Sequence, residues 1–266
     1  MDISAYLKQQ WQDDHAEEYT NGMKDRGDYA ALTETLANHP SERVRRAALK
    51  AINSLDFTTL DGQVVDRIEE SISDFLARRS QLYSLDFVDA AGILAKIKRP
   101  RGIGYLISYL EKPETDKTYN MDVDRAFDNC CVAIGEAGID FLLNYLTEHK
   151  YCVIERTLVR GLYSIGGERA HDALVVGLKQ HCETYQVFNF NNIQAVAGYV
   201  AFINKLGAKP NDLEVLKTAL EAVKKAEIKH AEELSHIQGP LLGKDPYDAL
   251  DKQIQDVIQK IEAEAM

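Results

Sequence analysis

Apolar positions recur along this chain in a fixed twelve-residue pattern. Residues 44–55, 86–97, 123–134, 154–165 and 195–206 share it, and their starts lie 42, 37, 31 and 41 residues apart. Within each stretch the apolar residues return every three or four positions, which predicts an amphipathic helix. Repeat lengths of this size mark stacked supersecondary units, none of which can bury its apolar face alone. Four of the five stretches run into Gly or Pro punctuation: Pro100 and Gly102, Gly135 and Gly138, Gly166 and Gly167, and Gly207 and Pro210. Such residues stop one helix and start another. The helix that follows carries its own recurring pattern. Leu106 and Leu110, Leu142 and Leu146, and Leu174 and Leu178 fall at matching places. The repeating unit is therefore a helix pair.

The ends differ from the middle. Ile3, Tyr6, Leu7 and Trp11 predict an amphipathic opening helix whose other face carries Asp13, Asp14, Glu17 and Glu18, followed by a break over residues 21–27. A short helix from Tyr29 is expected to stop at His39-Pro40, and Ser41 to cap the first repeated helix. Near the C-terminus, Leu213, Leu216, Leu220 and Val223 follow the three-four alternation of a packed seam; Leu250, Ile254, Val257 and Ile261 continue it after a Gly/Pro break. The domain boundaries expected are a repeat array over residues 1–210 and a long helical hairpin over 211–266. The one segment with strand-like alternation is 185–190.

Charge narrows the function classes. Across 266 residues the formal net charge is −11, which argues against a general nucleic-acid or anionic-membrane binder and suits a basic partner. The N-terminal residues lack the basic start and apolar run of a signal peptide, and no stretch matches a membrane span, so a cytoplasmic location with reduced cysteines is expected. Catalytic patterns are weak. The Gly161–Gly166 segment has one residue too many for a nucleophile elbow, and Gly102–Gly104 lacks the third glycine of a dinucleotide loop. His171, His181 and Cys182 have no paired spacing for zinc, so no metal and no cofactor are expected.

Residues 41–52 and 165–178 resemble HEAT repeats, in particular the short kind named after phycobilisome lyases. The resemblance spans about residues 28–222. It implies an all-α fold, a right-handed α-solenoid of about five HEAT-like helix pairs whose inner surface is lined by the repeated helices, here closed by the C-terminal hairpin. Most such proteins are adaptors or scaffolds, and a minority are enzymes. The iron-dependent hydroxylases among HEAT proteins use His-Glu dipeptides, and none of the seven histidines here precedes Glu. The alkylpurine glycosylases need a cationic groove, which the net charge opposes.

The third and seventh positions of the repeated helix share one side, being a turn apart. They are Arg46 and Lys50, Arg125 and Asn129, and Arg156 and Arg160 in three copies, while the other two copies lack the basic residue. These form either a site for an anionic group of a partner, since Arg offers a fixed fork of donors, or an internal ladder paired with acids such as Asp124, Asp128 or Glu155. An insertion at 181–192 offers Tyr185, Phe188 and Phe190 as interface anchors or as core residues. The expected function is a non-enzymatic adaptor holding a protein partner on the concave face, in one form an inhibitor or immunity-type protein for a basic enzyme. The alternative is a bilin-lyase-like accessory enzyme with polar groups converging near Tyr163. Nucleic-acid binding along the basic positions is a weaker option, and a homodimer through the hairpin is a further one.

Overall fold

Each repeated stretch coincides with a helix to within two residues at its ends, and each is followed by a helix of a different kind. The computed structural model describes residues 3–77, 84–111, 121–149, 154–184, 190–234 and 245–264. Among these residues the chain is all-helical, with fourteen α-helices and two short 3-10 turns. The helices are α1 (Ile3–Asp14), α2 (Ala16–Asp25), α3 (Tyr29–Asn38), α4 (Glu42–Asn53), α5 (Gly62–Ala77), α6 (Ser84–Ile97), α7 (Arg101–Leu110), α8 (Met121–Ile134), α9 (Ala137–Glu148), α10 (Glu155–Ile165), α11 (Gly167–Thr184), α12 (Phe190–Gly207), α13 (Leu213–Leu234) and α14 (Asp245–Glu264). The five repeats are α4, α6, α8, α10 and α12.

The chain forms two compact units, Met1–Gly138 and Ile139–Met266. In the first, α2, α4, α6 and α8 pack each on the next, as do α3, α5 and α7, and the two rows face one another. In the second unit α10, α12 and α14 form one row and α11 and α13 the other, with α13 also against α14. Within these rows each helix thus rests on its second neighbour in sequence. That arrangement lets a twelve-residue amphipathic helix bury an apolar stripe against three others at once.

The repeat pattern maps directly onto burial. The fifth position is Ala48, Ala90, Phe127, Leu158 and Tyr199, and the ninth is Ile52, Leu94, Cys131, Leu162 and Ile203; all ten are buried. None of the third and seventh positions is buried. The volume at the fifth position ranges from Ala to Tyr, so neighbours adjust. At Gly177 of α11 an added Cβ would stand 2.8 Å from the Tyr199 ring, and the missing side chain is what lets that tyrosine lie flat.

Helix ends follow local chemistry. Asp28 caps α3 by accepting the Ala31 N–H at 3.1 Å, and Asp61 accepts the Gln63 N–H at 2.8 Å at the start of α5. Gly166 and Gly167 both have positive φ, 73° and 81°, a pair of left-handed residues that turns α10 directly into α11. Lys98, after α6, also has positive φ, at 58°, without glycine's freedom.

Three expectations change. The opening segment is two helices meeting at His15, and Asn21–Asp25 belong to α2, where the sequence suggests a break. The Asn21-Gly22 pair is the misleading signal; the buried Ala16, Thr20 and Met23 on one side keep the helix going. Second, α5 was not anticipated, although Ile68, Ile72, Phe75 and Leu76 bury one face of it. Third, Gly102 and Gly104 lie within α7, where Gly102 lets the helix come within 3.2 Å of Leu94. Residues 112–120 and the segment 185–189 lie outside the described residues, as do the side chains of Phe190 and His230.

Candidate functional site

The third and seventh positions lie beside the seams between successive repeated helices. On α4, Arg46 hydrogen-bonds Asp86 of α6 at 3.0 Å and pairs with Glu42 of its own helix at 2.7 Å. Burial works against its charge, yet the bonds to Asp86 and Glu42 outweigh it and hold the guanidinium above its ordinary pKa. Two turns on, the Asn53 amide donates to Asp89 at 2.9 Å, and Lys96 reaches the Asn53 carbonyl. Arg46 is therefore a rung between two helices. Lys50 is exposed, with Glu17 of α2 at 3.9 Å. Arg125 and Asn129 on α8 are exposed, as is Arg156 on α10, while Arg160 is half-buried. The structure brings Arg46 and Lys50 together on α4, Arg125 and Asn129 on α8, and Arg156 and Arg160 on α10.

Tyr163, at the tenth position of α10, stacks on Phe202 of α12 with ring centroids 4.4 Å apart, and Lys205 lies over the pair at 5.6 and 5.7 Å. Tyr163 holds the repeat position that Asn53 holds on α4, but its partner Phe202 lies one turn further along its helix than Asp89 does. Tyr185 and Phe188 lie outside the described residues, and Phe190 opens α12.

A second polar group was not legible in advance. Glu155 of α10, His181 of α11 and Tyr199 of α12 meet in the core of the second unit. The His181 Nδ1–H donates to Glu155 Oε1 at 2.8 Å, and the Tyr199 hydroxyl donates to the same oxygen at 3.1 Å. All three are buried, His181 at 3% and Tyr199 at 1% exposure. A carboxylate desolvated this far is tolerable because two donors converge on it. Beside it, burial pushes the Cys182 thiol up to about 12, with Glu183 and Glu155 adding to the effect. A thiol held that far from ionisation is a poor nucleophile and a poor metal ligand. Cys130 is likewise raised to about 12 by burial, as a core residue.

Two further polar joints are structural in geometry. Glu69 of α5, fully buried, accepts from Arg101 twice at 2.6 Å and from Arg99 at 2.9 Å, fastening α5 to the start of α7. His39, in the turn between α3 and α4, accepts the Ser41 N–H on Nδ1 at 3.1 Å; its proton is thus on Nε2, 3.1 Å from Gln12 Oε1 of α1. Burial lowers the His39 pKa, and Arg45 adds to this, against the Ser41 bond and Asp13.

Among the described residues no group of three or more His, Cys, Asp or Glu gathers where a metal ion could sit, and no helix is long and apolar enough to cross a membrane. No family model matches the chain, and no curated protein matches it. The chain is similar to two crystal structures of engineered proteins from the Northeast Structural Genomics Consortium. One has 15% identity and a TM-score of 0.37, covering 89% of this chain and 97% of the other. The second has 17% identity and a TM-score of 0.36, covering 92% and 71%. At scores this low the likeness carries no argument.

Proposed function

We propose that this protein is an adaptor that binds a protein partner on the outward side of its repeated helices. One observation carries the reading: in all five copies the fifth and ninth positions are buried while the third and seventh stay at the surface. Regular helices then present Lys50, Arg125 and Asn129 in the first unit and Arg156 in the second, on rigid elements rather than loops. Second-neighbour packing within each unit supports the finer reading that the pairs are HEAT-like repeats of a right-handed α-solenoid. The net charge of −11 suits a partner that is basic overall, steered by the protein's field and slowed by salt, while Lys50, Arg125 and Arg156 meet anionic groups of that partner at the contact itself.

The test is cross-linking and co-purification with Lys50→Glu, Arg125→Glu and Arg156→Glu together. Arg46 is left intact, since reversing it would break the seam to Asp86. Loss of a specific partner with the far-UV helical signal unchanged supports the reading; an unchanged set of partners removes it.

A bilin-lyase-like enzyme is the second reading; Glu155, His181 and Tyr199 converge at α10 but are buried, so it requires that the core there open to admit a tetrapyrrole. It predicts a tetrapyrrole absorbance change that Glu155→Gln abolishes. No spectral change on adding tetrapyrrole would end it.

A further inference from the structure

Helical hydrogen bonding runs from α1 into α2 without a gap, from His15 N–H to the Trp11 carbonyl at 3.0 Å and from Tyr19 N–H to the His15 carbonyl at 2.8 Å. Trp11, His15 and Tyr19 are thus one turn apart along one side. The His15 ring, whose Nδ1–H donates to the Trp11 carbonyl at 3.0 Å, stacks on the indole with centroids 4.9 Å apart. Tyr19 stands edge-on to the indole at 6.5 Å and is itself packed on the core residues Ala16, Val44 and Ala47. The indole is therefore held in place, yet 47% of the residue stays open to solvent. Core packing does not require it: Gln12, Ala16 and Thr20 supply the buried side of these two helices. A tryptophan fixed by its neighbours and left in water has the character of an interface anchor.

Charge defines what the anchor meets. Between Lys8 and Lys24 the chain holds four acids and no Lys or Arg. Two of the four, Asp14 and Glu18, are exposed and lie three and seven residues past Trp11, on its side of the helix pair. From Trp11 to Glu18 the surface is about 10 Å long, at 1.5 Å of rise per residue. Glu17 beside it is 3.9 Å from Lys50, so this surface borders a position the adaptor reading already uses. We propose that Trp11, Asp14 and Glu18 form the docking site for an arginine in a basic segment of the partner protein. The guanidinium lies flat on the open part of the indole, where the ring's quadrupole attracts it, and turns its N–H groups to the two carboxylates. Lysine fits less well, because its compact ammonium holds water more tightly and does not stack. The site rests on the adaptor reading and adds to it the place where the partner's basic groups go.

The probe is a Gly/Ser peptide with three arginines and no aromatic residue, titrated into the full-length chain. Calorimetry measures binding, and the indole N–H resonance locates it, as a single peak because the chain has one tryptophan. Saturable binding that moves this peak is expected. Lysines in place of the arginines should weaken it by at least about threefold, the loss of the stacked cation. Citrullines, which keep the planar shape without the charge, should abolish it. In the chain, Asp14→Lys with Glu18→Lys should weaken the arginine peptide by at least about tenfold, and Trp11→Leu by about threefold. All three positions are exposed, so the variants fold, and circular dichroism checks that they do. No saturable shift of the indole peak overturns the site, as does equal binding of the arginine and lysine peptides with no effect of Trp11→Leu. With the native partner the two proposals separate. A partner kept by Trp11→Leu and by the Asp14/Glu18 reversal, but lost when Lys50, Arg125 and Arg156 are reversed, overturns this site and leaves the adaptor reading standing.

Discussion

A methyl group added at Gly177 would stand 2.8 Å from one ring carbon of Tyr199 and 2.9 Å from its hydroxyl oxygen. The tyrosine is buried, so it cannot swing away without leaving its bond to Glu155. Gly177→Ala is therefore expected to cost about 1–3 kcal/mol, the usual range for overpacking a core, in spite of alanine's better helix propensity. Urea unfolding measures it, and an unchanged midpoint would refute the account. His39 gives a pH prediction whose sign is fixed. Its folded-state pKa lies below the ordinary 6.5, so the unfolded chain takes up the proton first as pH falls. The contribution of the neutral ring is complete above pH 6.5 and is lost as pH drops from there through the folded-state value. Thermal melts should show this slope, and His39→Gln should flatten it.

At the scale of the element, two helix ends invite measurement. Lys98 holds a left-handed conformation that costs a side-chain-bearing residue about 1–2 kcal/mol. Lys98→Gly should raise stability by about 1 kcal/mol, because the position is a helix stop where glycine is the usual occupant. A lowered melting temperature would show that the lysine side chain contributes more than its backbone costs. Between α5 and α7, Glu69 is the buried partner of Arg99 and Arg101. Glu69→Ala is expected to cost about 2–3 kcal/mol, below the full penalty for a broken buried pair because both arginines reach solvent. The helix pairs and their core positions could be read from the chain because period and punctuation are local properties. The cluster of Glu155, His181 and Tyr199 could not. Its members come from three helices, 26 and 44 residues apart, and meet only when those helices take particular rotations about their axes. The pairing of Arg46 with Asp86 was half legible: periodicity placed the arginine on its side, but the acid that meets it lies at the first position of the next copy. A break was read at Asn21–Gly27 because turn-forming residues cluster there, while the burial that carries α2 through it is a tertiary effect.

Over the whole molecule, second-neighbour packing within each unit confines the reach of a perturbation. Most helices touch their own row and the facing row, so damage at one place should lower stability there first. Hydrogen exchange on Gly177→Ala should show faster exchange in α10, α11 and α12, with α4 and α6 unchanged; uniform acceleration would mean that the array unfolds as one body. The choice of probe follows from a single residue at the far end. Trp11 is the chain's one tryptophan, about half exposed, stacked on His15 with centroids 4.9 Å apart and edge-on to Tyr19. Emission excited at the red edge of tryptophan absorption therefore reports on α1 and its contacts with α2 and α4. A fluorescence-monitored melt would record the fraying of the opening helix from α2 and α4 and leave the later repeats silent.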